Sequence, residues 1–187
     1  MRISRTTLNR NWLWSTLATV AVGAILGTLD TRLKLLTGAG TADLQDFNSA
    51  AQFAVAFHSW GVHGYLARAG FNLGFDYLFM PLYAVAFFYS GILTMETFAP
   101  RPGLLRRLLI LAAMAPVVAA GLDAVENALE LTLLWNGPTD SLAATAHMVS
   151  TAKWIGIAIG FALLMGAVLA RVQAWQKERL KGLNPSP

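Results

Sequence analysis

Between Gly121 and Leu131 the chain reads GLDAVENALEL, which spaces Asp123, Glu126, Asn127 and Glu130 at helical intervals. At 100° per residue the four fall within an arc of about 100°, the width of one buried face. Carboxyls gathered this way can pass protons, hold a cation or bind a polar ligand. A second set follows on the next apolar stretch, where His147, Ser150, Thr151 and Trp154 share a face and Lys153 lies about 120° round from His147. Counting about 1.5 Å per residue inward from Trp135 and Ser141 puts Asp123 and Lys153 level, roughly 18 Å deep, and Glu130 level with His147 at roughly 8 to 9 Å.

These residues stand in sequence fit to cross a bilayer, where a charge costs several kcal/mol (of order 3 or more) unless paired, protonated or wetted. Asp123 with Lys153, taken alone, reads as a buried salt bridge tying two helices together. The group reads differently, because four acids, Asp76, Asp123, Glu126 and Glu130, face a single lysine. That surplus must be met by protons, water, a metal or a cationic ligand. The catalytic candidates are Asp123, Glu126, Glu130 and Lys153. Asp76, Asn127 and His147 are the ligand-binding candidates, and neither a metal nor a cofactor is specified.

The elements that position them follow from composition. With 56% hydrophobic and 13% charged residues, and a mean hydropathy of +0.52, the chain is too apolar for a water-soluble domain of its size. It reads as an all-α integral membrane protein, a single four-helix domain over 1–187. Spans are expected at about Trp12 to Leu29, Asp76 to Phe98, Leu104 to Leu134 and Leu142 to Ala170. Pro116 is expected to kink the third span beside the acids. Gly156 and Gly160 are expected to let helices approach closely, and Tyr77, Tyr83 and Tyr89 to act as packing or belt aromatics. Without cysteine there are no disulfides or thiolate sites.

Positive charge is distributed as topology, not as a nucleic-acid surface. Arg2, Arg5 and Arg10 precede the first span, Arg101, Arg106 and Arg107 divide the second from the third, and Arg171, Lys177, Arg179 and Lys181 follow the fourth. All three clusters then face the cytoplasm, both termini are inside, and the expected location is a bacterial-type inner membrane. A basic start before Trp12 to Gly27 also fits a secretory signal peptide with a poor cleavage site at Ala21 to Gly23, and the next loop is outside either way. That loop, Asp30 to Phe75, is expected to hold a short interfacial helix from Leu44 to Trp60, capped by Thr41 or Asp43. Gly61, Gly64, Gly70 and Gly74 then read as turns leading to the second span, with Asn72 as its cap and Asp76 at its N-terminus. His58 and His63, five residues apart, do not share a helix face.

Three function classes fit. The first is an intramembrane acid–base enzyme or binding site for a lipid-like or cationic molecule, marked by a lipid-sized cavity open between helices. A second is proton- or cation-coupled transport or sensing, which four spans support only as an oligomer. The third is a structural subunit whose acidic face docks another membrane protein, marked by a polar face pointing out of the bundle. The acidic third helix resembles four-helix membrane isomerases of the emopamil-binding type in that feature alone. That family's spaced histidines and glutamates have no counterpart on these helices, so the resemblance implies no activity.

Overall fold

The computed structural model describes residues 4–183, and these are helical without a strand; Arg2 and the 184–187 tail lie outside the described residues. Five α-helices follow in order: α1 (Arg5–Thr37), α2 (Ala50–Val62), α3 (Leu66–Phe98), α4 (Leu104–Asn136) and α5 (Asp140–Leu183), with a 3-10 turn, Ala42–Asp46, between α1 and α2. All but α2 are long and apolar enough to cross a membrane. Each of α1, α3 and α4 has 33 residues, or about 50 Å of helix against a hydrocarbon core of about 30 Å. The hydropathy pattern finds nearly the whole of α4 but misses both ends of α1 and the first turns of α3.

That excess length corrects the reading of 30–75 as one long loop. α1 runs to Thr37 and stops at Gly38, whose φ of 86° suits glycine and whose N–H caps the Lys34 carbonyl. α3 begins at Leu66, ten residues earlier than expected, so Gly70, Asn72 and Gly74 are helical and Asn72 caps nothing. Of the four glycines read as turns, Gly64 alone takes a positive φ. Asp76 consequently sits mid-helix, beyond the reach of the N-terminal dipole. The expected helix at 44–60 is split at Phe47–Ser49, and Ser49, not Thr41 or Asp43, precedes α2, with Gln52 accepting from the Asn48 and Ser49 N–H groups.

The segment between α1 and α3 folds back on the bundle. Phe53 and Trp60 of α2 are fully buried with Leu33, Leu44, Leu73, Leu133 and Ala143, one cluster drawing on every long helix. Trp60 Nε1 donates to Ala39 O, Ser59 Oγ to Thr37 O, and the Ala50 N–H to Asp140 at the start of α5. These bonds satisfy a returning backbone that apolar packing alone would leave unpaired.

Below this cap α3 is central, packing on α1, α4 and α5, while α1 leans on α3 and makes little or no contact with α4 or α5. None of the most apolar stretch of α1 is buried. Pro116 is buried within an uninterrupted α4. A Cβ at Gly156 would stand 2.7 Å from Ala119 Cβ and 2.8 Å from Ala115 O, and one at Gly160 would meet the Phe87 ring. Gly156→Ala should therefore force α5 off α4 and cost about 1–3 kcal/mol. The expected readout is a lower unfolding midpoint in detergent, with Gly121→Ala, where a Cβ meets nothing within 4 Å, as the control that does not destabilise.

Candidate functional site

The polar face of α4 is turned into the bundle. Asp123, Glu126, Asn127 and Glu130 are at most 5% exposed, while Val125 between them is 49% exposed, so the three-and-four spacing resolves into one inward stripe. Lys153 of α5 enters the same layer, 2% exposed. Its Nζ donates to Asp123 Oδ1 at 2.9 Å and lies 2.5 Å from Glu126 Oε2, a close ion pair without the alignment of a directed hydrogen bond. The angular offset from His147 is what brings Lys153 onto the acids.

Tyr83, read from sequence as packing, belongs to this layer. Its hydroxyl donates to Asp123 Oδ2 at 3.0 Å, so that carboxylate is held between a phenol on α3 and an ammonium on α5. Tyr77 instead donates to the Ala124 carbonyl, tying α3 to α4. Once α3 starts at Leu66, Asn72, Asp76 and Tyr83 fall on one stripe within about 40° of arc. Starting that helix ten residues late concealed the stripe.

A second layer lies one turn nearer the α2 end. Asn127 Nδ2 donates to Asp76 Oδ2 at 2.8 Å and to Leu73 O at 3.2 Å, so the amide braces a carboxylate across α3 and α4. Glu130 is 1% exposed, makes no salt bridge, and its Oε1 has no partner; Glu126 Oε1 is likewise unpartnered. One lysine thus stands against three fully buried acids and a fourth, Asp76, at the edge.

Asp30 of α1, Thr41 of the connection to α2 and Asn72 of α3 complete this layer, none of them a site candidate in the sequence reading. Asp30, still helical on α1, accepts from Thr41 Oγ1 at 3.0 Å and from the Ala42 N–H at 2.9 Å through the same Oδ1. Asn72 Nδ2 donates to Thr41 Oγ1 at 2.6 Å, while Asn72 Oδ1 is buried and unpartnered. Together Asp30, Thr41, Asn72, Asp76, Asn127 and Glu130 line a chamber of about 150 Å³. Gly40 leaves room for the Asp30 carboxylate at this joint, since a Cβ there would push it aside.

His147 does not meet Glu130. Its Nδ1 is 3.1 Å from the Gln45 carbonyl, and Trp154 Nε1 donates to Gln45 Oε1 at 3.0 Å, so α5 uses these side chains to seat the 3-10 turn. His58 and His63 are exposed, and His63, just past the end of α2, turns Nδ1 back to the Ser59 carbonyl of that helix. Among the described residues no three His, Asp or Glu side chains are arranged to hold a metal ion.

A cleft of about 390 Å³ opens where α1 stands away from α5, within the ~300–1,000 Å³ range usual for small-molecule sites. Val20 and Gly23 of α1, Phe79 and Tyr83 of α3, and Ile157 and Phe161 of α5 line it, and the lining is almost wholly apolar. Tyr83 therefore touches the cleft with its ring and the ion-paired layer with its hydroxyl. Gly23 and Phe79 of the cleft are each one helical turn from Gly27 and Asp76 of the chamber, so the two spaces are stacked along the same pair of helices. Searches of protein-family models, curated proteins and solved structures find no match to this chain.

Proposed function

We propose that the chain is a multi-pass protein of a bacterial-type inner membrane, with both termini cytoplasmic, that binds a lipid-like molecule between α1 and α5 and exchanges a proton with it. The single observation carrying this reading is the apolar cleft, whose wall residue Tyr83 is hydrogen-bonded to a buried carboxylate beside Lys153. In hydrocarbon such a cleft admits an acyl or isoprenoid chain sideways, without passage through water. Placing the chamber in the outer half follows from the distribution of Arg and Lys about the spans.

The division of labour follows from the partners. Asp123 and Glu126 hold Lys153 between them, so this ion group ties α4 to α5. Glu130, free of the lysine, is the carboxyl available to give or take a proton. Burial of the acidic face inside the bundle removes the feature on which the docking reading relied. The transport reading is weakened by α4 itself, since Leu108 to Ala120 carries no ionisable side chain that would continue a path.

The test is photolabelling in nanodiscs with a fatty alcohol carrying a diazirine near the chain end. Labels are expected on cleft residues such as Val20, Ile157 and Phe161. Gly23→Leu should fill the cleft, since a Cβ there already stands 3.1 Å from the Phe79 ring, and reduce those labels at unchanged folding. Labels spread evenly around the exposed surface of all four long helices would defeat the reading.

A further inference from the structure

The chamber at the α2 end differs from the ion-paired layer beneath it, because two of its buried side-chain oxygens are acceptors without a donor. Thr41 Oγ1 gives its proton to Asp30, Asn72 Nδ2 donates to Thr41, and Asn127 Nδ2 is shared by Asp76 and Leu73. What remains unpartnered is Asn72 Oδ1, on a residue 4% exposed, and Glu130 Oε1, on a residue 1% exposed, and both residues line the space. Three carboxyls, Asp30, Asp76 and Glu130, contribute to the lining and no Lys, Arg or His does. A buried carbonyl without a donor costs about 1–3 kcal/mol, so a site with this pattern gains most from a group that brings N–H bonds and positive charge together.

Size and position narrow the occupant. At about 150 Å³ the chamber is several times the ~30 Å³ a water molecule takes in the liquid, room for an ammonium head with solvent. One turn along α1 and α3 the apolar cleft begins. We infer that the chamber takes the protonated primary amine of a single-chain amphiphile whose tail lies in the cleft between α1 and α5. The amine would donate to Asn72 Oδ1 and Glu130 Oε1 with Asp30 and Asp76 supplying the surrounding negative charge. This inference rests on the lipid-binding reading above and adds the chemistry of the head.

Competition against the photoactivatable alcohol in neutral nanodiscs separates the two. Dodecylamine is expected to displace the label about tenfold better than dodecanol. Glu130→Gln and, independently, Asp76→Asn should shrink that preference to within about twofold. The second variant, at a part-buried carboxyl, guards against a folding defect in the first. Equal competition by amine and alcohol on the unaltered protein would overturn the amine assignment and leave the lipid reading standing, whereas competition by neither would overturn both. Dodecyltrimethylammonium matching the primary amine would overturn the role of the N–H donors. Loss of the amine's advantage in sodium chloride, but not in choline chloride of equal strength, would assign the chamber to an inorganic cation instead.

Discussion

Lys153→Met should be the most damaging single substitution in the bundle, lowering stability by about 3–5 kcal/mol, the usual cost of stripping one partner from a buried ion pair. Among the described residues nothing else in the layer carries positive charge, so Asp123 would keep the Tyr83 hydroxyl but both acids would lose their cation. Asp123→Asn should cost less, because Glu126 remains 2.5 Å from the ammonium. The triple variant Asp123→Asn, Glu126→Gln, Lys153→Met removes every charge of the group and should recover much of the loss, since a neutral replacement of an ion pair is often tolerated. Unfolding midpoints and expression yields in detergent give the comparison. A Lys153→Met protein as stable as its parent would mean that protons, water or an ion already neutralise these acids.

Glu130→Gln should behave in the opposite way, keeping stability within about 1 kcal/mol or improving it while abolishing proton exchange with a bound molecule. Its carboxyl has no salt bridge to lose, its Oε1 has no donor, and glutamine keeps its shape without its charge. Replacing a carboxyl that belongs to no ion pair strands no partner, whereas removing one member of a buried ion pair leaves the other uncompensated. The two substitutions thus divide the acidic stripe into a part that holds the bundle and a part that is available for chemistry. Thermal unfolding together with ligand-linked proton uptake or release measures both properties on one preparation. If Glu130→Gln unfolds as Lys153→Met does, Glu130 is structural.

Much of this site was legible in the residues. Helical spacing alone gathered Asp123, Glu126, Asn127 and Glu130, and depth counting across the hairpin matched Asp123 with Lys153, which the structure joins at 2.9 Å. Equal depth did not suffice for Glu130 and His147, because Gln45, more than a hundred residues earlier, takes the histidine instead. Hydropathy can miss the ends of a helix, as it does on α1 and α3, so the first turns of α3 were read as loop and Asn72 was lost from the stripe it shares with Asp76 and Tyr83. Asp30 and Thr41 were illegible for a related reason: their meeting depends on the turn at Gly38 and the close approach at Gly40, long-range geometry that no periodicity encodes. The cleft between α1 and α5 likewise arises from which helices do not touch.

The most direct test is infrared difference spectroscopy as dodecylamine, a base able to take a proton from a carboxyl, fills the cleft in a neutral nanodisc. A proton-exchanging Glu130 predicts a change in the carboxyl C=O band on binding that disappears in Glu130→Gln while the photolabelling of Val20 and Phe161 persists. A binding spectrum without any carboxyl change, or one that survives intact in Glu130→Gln, would contradict it.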